Sequence, residues 1–536
     1  ALQKSCNQQD VTKLNNITTA ARDKTKSILQ TAIAKGSSLI TQQTNDHLRE
    51  LTVLINLRPS LIFHIGDHCH TKLHAFCPQH HFDLTNKTFE EAEIFKKVNA
   101  QPETVAITLW NNCDKDLKRS CKWAFRNIKL CIPGGYILAK EKKNWDAARS
   151  IVTYSGTTFA VLLRAAGIAL TDITSWACDS SHFNTPSATI VRDKLQQYND
   201  MTRRLCASSP ETWLDCTSPL IIADDLAGFF PSPPPQLMTN AIDFICHRAT
   251  TIKNLPLDEI KISFQMTRNK LAPTSFGKQK DPRYRTLTMT QLRAICLHAL
   301  TWAVVHVNGT TYQQVRGGAI GSPLSPAWLV CLVMHREYTW LSSRTIPVTL
   351  RNETWQTIRY VDNRMILTFQ HNNQPLTAHD LLHKNFYGDK IILEVEPKDV
   401  IIGVELIQLT TQLRPSTTEV IHCRLKIPGY TRDTATLDEN FLWRYRTPSA
   451  GGTIHNLLSP LKTKIHQAMT LSFPDIRRQQ AIARLVWIYI CLGFQPKIIL
   501  QCLDHRIPDT WTTWRATLSQ HAIHNPQLLH TLTGCP

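Results

Sequence analysis

The stretch Leu220-Ile-Ile-Ala-Asp-Asp-Leu-Ala-Gly-Phe-Phe230 carries two adjacent carboxylates at the end of an apolar run. The run has the composition of a buried β-strand, so Asp224 and Asp225 are expected at its carboxyl end. Carboxylate oxygens are the ligands that hard divalent cations prefer. The stretch therefore predicts either a metal site beside a shaped pocket or an Asp that only caps a turn.

A second strand-like stretch, Thr357-Ile-Arg-Tyr-Val-Asp-Asn-Arg-Met-Ile-Leu367, sets Asp362 and Asn363 between apolar flanks. A carboxylate in such surroundings is costly unless it is paired or binds a metal. The flanks are typical of a hairpin that crosses a core. The alternatives are a second metal ligand and an Asp-Asn turn that closes the hairpin.

Between these two stretches lies a glycine-rich segment, Tyr312-Gln-Gln-Val-Arg-Gly-Gly-Ala-Ile-Gly-Ser-Pro-Leu-Ser-Pro326, followed by a helical run from Ala327 to Trp340. Glycine permits close approach of backbones, and Ser-Pro is a common helix start. A glycine-rich turn alone would indicate only tight packing. The sequence Gly-Ser-Pro-Leu-Ser-Pro in this setting is far more specific.

In this order, the three stretches resemble the palm motifs of reverse transcriptases, most closely those of the telomerase and Penelope-like branch. The resemblance implies an α+β right-hand polymerase with fingers, a palm built on an antiparallel sheet, and a helical thumb. It also implies an RNA-directed DNA polymerase that extends a primer with deoxynucleoside triphosphates. The resemblance covers roughly residues 130 to 500.

The resemblance assigns roles to individual residues. Asp225 and Asp362 match the catalytic, metal-binding Asp residues of the family, and Phe230 matches the aromatic residue that screens the sugar 2′ position. By the same match we expect nucleotide contacts from Gln314 and Gly321, and nucleic-acid contacts from Arg316, Gly317, Ser322 and Pro323.

One departure from the family affects the metal site. The family has two adjacent Asp residues in its second acidic motif, and Asn363 stands where the second would be. An amide oxygen can be a metal ligand but brings no charge. We therefore expect Mg²⁺ or Mn²⁺ to be held by Asp225, Asp362 and Asn363, in the family's two-metal mechanism.

Two upstream stretches resemble the finger motifs in which a Lys and an Arg grip the triphosphate. They contain Lys140 and Arg149, which we expect to bind the nucleotide, while Lys142 and Lys143 are expected to contact nucleic acid. The region from residue 114 to 149 has ten Lys or Arg against four Asp or Glu, interleaved with aromatic residues. This mixture is suited to phosphates and bases, and a solvated face is the alternative.

A segment rich in His and Cys lies between His64 and His81. Imidazole and thiolate are the ligands that zinc prefers, although the spacing matches no zinc pattern with two clean ligand pairs. The alternatives are a polar loop and a zinc site. The residues that would form the zinc site are His68, His74, Cys77 and His80.

The composition limits the class of partner and compartment. The formal net charge is +18, as is common for proteins that bind a polyanion, with general solubility or an anionic membrane surface as alternatives. Sixteen Cys without a disulfide framework indicate a reducing intracellular compartment, which we expect to be the nucleus or the mitochondrion. We find no apolar run of about 18 residues, so no membrane partner is expected.

Four regions are predicted from these patterns. They are a helical N-terminal extension with the His/Cys-rich segment (1–110), fingers (111–215), a palm with inserted helices (216–410), and a helical thumb with a C-terminal tail (411–536). Helical spacing is clearest from residue 10 to 56 and from Ala481 to Leu492.

Two functions remain open at this point. The first is an active reverse transcriptase that binds an RNA template, a primer and a nucleotide. The second is a catalytically degenerate derivative that binds RNA or scaffolds a ribonucleoprotein such as an organellar ribosome. Asn363 and the N-terminal extension favour the second.

Overall fold

The computed structural model describes residues 61–534 except 68, 92, 126–128, 141–142, 180, 209–215, 265–274, 278–283, 344–354, 372–373, 376, 378, 389, 397–399, 411–419, 428–444, 446–447 and 449–452. The helix predicted between residues 10 and 56 lies outside the described residues.

The described part of the chain alternates between helices and short strands. Its strands are β1 (Ile62–Gly66), β2 (Cys69–Phe76), β3 (Phe95–Val98), β4 (Gly134–Ala139), β5 (Ala148–Thr153), β6 (Cys216–Leu226), β7 (Lys261–Phe264), β8 (Ser275–Gly277), β9 (Arg285–Thr288), β10 (Val304–Val307), β11 (Thr310–Gln314), β12 (Trp355–Tyr360), β13 (Asn363–His371), β14 (Gln374–Pro375), β15 (Leu393–Val395), β16 (Val400–Ile401), β17 (Val404–Gln408) and β18 (Ile421–Leu425). Its α-helices are α1 (Pro78–Phe89), α2 (Pro102–Asn112), α3 (Lys115–Ser120), α4 (Ala160–Cys178), α5 (Ala188–Ser208), α6 (Pro235–Lys253), α7 (Met289–Thr301), α8 (Ser325–Ser343), α9 (Ile454–Leu471), α10 (Asp475–Cys491), α11 (Pro496–Gln501) and α12 (Thr512–His524).

The central sheet has the strand order β12-β13-β6-β15, and every pair in it is antiparallel. Strand β13 is buried on both faces: Met365 and Leu367 pack toward α5, whereas Ile366 belongs to the core that contains α4 and α8. The two predicted strands around Asp225 and Asp362 are therefore neighbours. The antiparallel palm sheet predicted from the sequence is confirmed.

A second sheet has the strand order β3-β11-β10-β4-β5, with one parallel pair, β10 with β4. It combines strands from three separate parts of the sequence. Strand β3 precedes the boundary predicted at residue 110, and β10 and β11 come from the region predicted as palm. This sheet therefore joins strands from the regions predicted as N-terminal extension, fingers and palm. The boundaries between these regions stay predictions.

The first described residues form a β-hairpin, although a helical extension is predicted there. Strands β1 and β2 pair antiparallel, with Ile62 opposite Phe76. Strand β1 is rich in β-branched and aromatic residues (Ile62, Phe63 and Ile65), which favour a strand over a helix, whereas β2 is a strand through its pairing with β1. Residues 61–110 are therefore a mixture of strand and helix.

Two buried ion pairs lie behind the central sheet. Arg364 Nη2 is 2.6 Å from Asp224 Oδ2, across the β6–β13 pairing. Glu337 of α8 is fully buried and accepts hydrogen bonds from the Arg359 guanidinium, the Tyr387 hydroxyl (2.8 Å) and the Phe183 backbone N–H (2.9 Å). Each charge is compensated, as a buried charge must be.

The C-terminal part is mainly helical, as the sequence predicts. Helices α9 to α12 enclose their own apolar core, and the helical run expected from Ala481 corresponds to α10. Strand β18 adds to a small sheet of order β16-β17-β18. Arg424 and Arg484 both pair with the Glu405 carboxylate, which ties α10 to this sheet.

The described cysteines are free thiols, and most of them are buried, as a reducing compartment allows. Helix α4 has the length and hydropathy of a membrane span, and 61% of its apolar window is buried inside the fold. Core helices of soluble proteins meet the same criteria, so α4 gives little support for a membrane location.

We predict that Glu337→Gln lowers the free energy of unfolding by about 3 kcal/mol, because it leaves the buried Arg359 charge without a counter-charge. Urea and thermal unfolding would measure the change. The matched control is Glu93→Gln, which removes an 82% exposed partner of Arg316 and should have little effect. Equal losses in both variants would contradict the role assigned to Glu337.

Candidate nucleotidyl-transfer site

Asp362 lies in the two-residue turn that joins β12 to β13, where Tyr360 pairs with Asn363. Val361 in this turn has a φ of +55°, an unfavourable conformation for a β-branched residue. The turn is held on both sides: Arg359 Nη1 donates to the Val361 carbonyl (2.9 Å), and the Leu226 N–H donates to the Asp362 carbonyl (3.1 Å). Asp362 is thereby fixed at the end of β6.

Asp225 and Asn363 face each other across the sheet. Their Cα positions are paired, and Asn363 Nδ2 donates a hydrogen bond to Asp225 Oδ1 at 2.9 Å. Asp224 points to the opposite face, toward Arg364, as strand alternation predicts. The structure thus places the backbones of the three residues that the sequence predicts as metal ligands next to one another, at the end of β6.

The Asp362 carboxylate is partly removed from water. Burial raises its pKa above the ordinary value, and the backbone N–H groups of Asp362 and Asn363 and the positive charges of Arg149 and Arg359 oppose this shift. Burial therefore disfavours the ionised form. A cation beside this carboxylate would offset part of the cost.

Glu394 is a third carboxylate on this face that sequence reasoning did not single out. It is paired with Asp225 in the β6–β15 register, and residues directly opposite in antiparallel strands share a face. Its side chain is exposed. Among the described residues, however, no three His, Cys, Asp or Glu form a group arranged to hold a metal ion.

The glycine-rich loop packs directly on the segment that follows β6. The Gly317 N–H donates to the Pro233 carbonyl and the Gly318 N–H to the Phe230 carbonyl, both at 2.8 Å. Gly317 has a φ of +66°, and a Cβ there would lie 2.1 Å from the Phe230 oxygen. Only glycine fits this approach.

The same loop also contacts the fingers. A Cβ at Gly321 would lie 2.2 Å from the Val152 carbonyl of β5, and the Val152 N–H donates to the Ile320 carbonyl. The Pro323 carbonyl lies against Gly167 of α4. The glycine-rich loop therefore packs between β5 and the segment that follows β6.

Several loop residues predicted to bind nucleotide or nucleic acid make contacts within the protein. Gln314 is buried, and its Nε2 donates to the Arg316 carbonyl at 2.8 Å. Arg316 bridges Glu93 (2.9 Å) and the Ser232 carbonyl (2.8 Å). Ser322 is also buried. These contacts indicate that Gln314 and Arg316 shape the loop.

Lys140 and Arg149 lie on the hairpin formed by β4 and β5. Lys140 directly follows β4, and its N–H donates to the Ala147 carbonyl (2.9 Å), while Arg149 is paired with Leu138. Arg149 Nη2 is 3.5 Å from Asp67 Oδ2, a partner that was not predicted from the sequence. Lys143 is exposed, and Lys142 lies outside the described residues.

The aromatic residues of this region are mostly packed rather than available for bases. Phe125 packs edge-on against Trp110, Trp123 lies under Arg285, and Trp145 contacts His74. The basic helix α3 is largely exposed. The region therefore offers charge for phosphates more than it offers stacking surfaces.

The predicted zinc site is not supported. His74 lies on β2 against the ring of Trp145, and His80 Nε2 is 3.2 Å from the Trp145 carbonyl. Cys77 precedes α1, and His68 lies outside the described residues. The ligands His74 and His80 pack on a finger loop, and the described residues contain no three-ligand group for a metal.

Comparison with solved structures places this architecture in a known class. A telomerase from Candida albicans, in complex with a TWJ fragment of telomeric RNA, aligns with 92% of this chain and 75% of its own, at 12% identity and a TM-score of 0.51. An apo telomerase from Candida tropicalis aligns with 91% of this chain and 73% of its own (10% identity, TM-score 0.47). The Sicinivirus 3Dpol RNA-dependent RNA polymerase aligns with 86% of this chain and 74% of its own (11% identity, TM-score 0.33).

At this level of identity, the likeness to the Candida albicans protein concerns the fold. The chain shares the right-hand polymerase fold of that telomerase. No protein-family model matches its sequence, and neither does the sequence of any curated protein.

We predict that Gly317→Ala lowers the free energy of unfolding by about 3 kcal/mol, through both the positive φ and the clash with Phe230. Gly309→Ala is the matched control, since its φ is +78° but a Cβ there would meet nothing within 4 Å. That variant should lose only about 1 kcal/mol. Thermal unfolding measures both, and similar losses would contradict the packing described for the loop.

We predict that Asp362→Asn stabilises the protein at pH 7 in buffer free of divalent cations. Folding raises the pKa of Asp362, so the protonated side chain stabilises the folded state relative to the ionised one. This stabilisation is complete below the pKa of Asp362 in the unfolded chain, and it is lost as the pH rises through the pKa in the folded protein. The gain in melting temperature should vanish below about pH 4. Asp258→Asn, at an exposed site, is the control, and a gain independent of pH would contradict the desolvation argument.

Proposed function

We propose that the chain is a reverse transcriptase, an RNA-directed DNA polymerase of the telomerase and Penelope-like branch. The observation that carries the proposal is the pairing of β6 with β13, which brings Asp225, Asp362 and Asn363 to one end of the sheet. The glycine-rich loop packs beside them on the segment from Phe230 to Pro233. The right-hand fold supports a polymerase over other metal-dependent enzymes.

The donor set suits Mg²⁺ or Mn²⁺. Asp225 and Asp362 supply carboxylate oxygens, and the amide of Asn363 supplies an oxygen without charge. Ionised Asp362 is disfavoured by burial, so a nearby cation would be stabilising. Divalent cations held there would activate the primer 3′-hydroxyl and neutralise the departing pyrophosphate.

The remaining roles fall to groups around these carboxylates. Lys140 and Arg149 would bind the triphosphate as positive clamps, and Phe230 would contact the sugar. Template and primer would be held through phosphates by the positive charge of the chain, which predicts salt-sensitive binding. The RNA in the Candida albicans complex belongs to that telomerase, and an RNA template for this chain is part of the proposal.

The second candidate function is a catalytically degenerate reverse transcriptase that binds RNA within a ribonucleoprotein. One observation favours it: Asn363 donates a hydrogen bond to Asp225 Oδ1, which uses one of the acceptor sites of the carboxylate and orients it. Asn363 also removes one negative charge from the site. Binding to RNA is common to both functions, so binding alone does not separate them.

We predict primer extension with Mg²⁺ or Mn²⁺ on an RNA template, and a loss of about a thousandfold or more in Asp225→Ala and Asp362→Ala. Each substitution removes a charged metal ligand. The control is Asp258→Ala, which removes an exposed carboxylate from the loop before β7 and should extend normally. Extension on a DNA template is measured in parallel.

The variant Asn363→Asp separates the two candidate functions. In an active polymerase it adds a charged ligand and should lower the Mg²⁺ concentration needed for half-maximal extension. An intact chain that binds RNA but does not extend a primer, with or without Asn363→Asp, would favour the degenerate scaffold.

A further inference from the structure

The tip of the β1–β2 hairpin contacts the strand that leads to Lys140. The Asp67 N–H donates to the carbonyl of Ala139, the last residue of β4, at 2.9 Å. His80, on the helix after the hairpin, lies 3.2 Å from the Trp145 carbonyl in the loop between β4 and β5. The N-terminal hairpin and α1 are therefore docked on the finger motif that carries Lys140 and Arg149.

The side chain of Asp67 is nearly buried at this contact. It is 6% exposed, and its Oδ2 lies 3.5 Å from Arg149 Nη2, whose side chain is 36% exposed. A carboxylate in that position is costly unless a positive group compensates it. The burial of Asp67 thus depends in part on Arg149.

Arg149 lies on a strand that also contacts the glycine-rich loop. Its backbone is fixed on β5 opposite Leu138. Three residues further along β5, the Val152 N–H donates to the Ile320 carbonyl at 2.8 Å. Strand β5 therefore contacts the glycine-rich loop, while the guanidinium of Arg149 lies against a carboxylate of the N-terminal hairpin.

An arginine has four side-chain torsions, and fixing them costs conformational entropy whenever a ligand is bound. A buried carboxylate that fixes the guanidinium beforehand removes part of that cost and raises affinity. The closest approach between the two groups joins Asp67 Oδ2 to Arg149 Nη2, at the long end of the ion-pair range. A carboxylate at this distance attracts the guanidinium and restricts the positions that it can take.

We propose that Asp67 is a positioning residue that orients Arg149 to bind the triphosphate of the incoming nucleotide. The inference rests on the proposed polymerase function and extends it to the N-terminal hairpin. The competing explanation is that the ion pair only attaches the hairpin to the fingers. The two differ because attachment affects stability, whereas positioning affects the affinity for nucleotide.

The test uses Asp67→Asn in the full chain, assayed by steady-state primer extension at varied nucleotide concentration. We expect KM for the nucleotide to rise about tenfold while kcat changes by less than about twofold. Asp67→Glu should restore part of the loss because it keeps the charge. Asp83→Asn, which removes an exposed carboxylate from α1, should leave both constants unchanged.

A double-mutant comparison connects the effect to Arg149. If Asp67 acts through Arg149, Asp67→Asn should add no further increase in KM to Arg149→Ala. An additive increase, an unchanged KM with a lower melting temperature, or a decrease in KM would overturn the proposal. The last result would mean that Asp67 competes with the triphosphate.

A binding measurement distinguishes failure of the positioning role from failure of the polymerase activity. Equilibrium binding of a fluorescent nucleoside triphosphate, measured with Mg²⁺ and a primer–template ending in a 3′-deoxynucleotide, requires no chemistry. A wild-type chain that binds nucleotide about tenfold more tightly than Asp67→Asn but does not extend a primer would support the positioning role alone. A wild-type chain that binds no nucleotide would overturn the proposal.

Discussion

Asp224 and Asp225 are consecutive in the chain, yet they leave β6 on opposite faces and meet different partners. Asp224 is buried against Arg364, and Asp225 accepts a hydrogen bond from Asn363. Because Arg364 follows Asn363 on β13, both contacts require the same register between the two strands. A slip of one residue would exchange the faces and place a buried charge without its partner. The ion pair therefore fixes the position of the residues on the other face.

The turn that carries Asp362 depends on a second buried charge. Glu337 binds Arg359, and Arg359 donates to the carbonyl of Val361, whose backbone is in the left-handed region. The surrounding structure thus maintains a strained turn and a desolvated carboxylate, two unfavourable features that commonly occur together at functional sites. A divalent cation bound by Asp362, as proposed, would offset the cost of the desolvated carboxylate.

Local patterns in the sequence predicted β6, the hairpin around Asp362, the glycine-rich loop and the helix after it, since each is encoded within a dozen residues. Contacts between distant segments were not predictable. Glu337 follows His335 and Arg336 on α8, and nothing near it in sequence indicates that it binds Arg359. Glu394 lies opposite Asp225 because β15 pairs with β6. Asp67 lies beside Arg149 because the β1–β2 hairpin contacts β4. The zinc site stays a prediction, since His68 lies outside the described residues and the other three candidate ligands form no three-ligand group among the described ones.

The proposed polymerase function requires that Asp225 and Asp362 bind the same divalent cations. A crystal structure with primer–template, nucleoside triphosphate and Mn²⁺ tests this directly, because anomalous scattering locates the metal. We expect an anomalous peak about 2.1 Å from a carboxylate oxygen of each of the two residues. A structure with bound nucleic acid and nucleotide, but with no peak between these carboxylates, would contradict it.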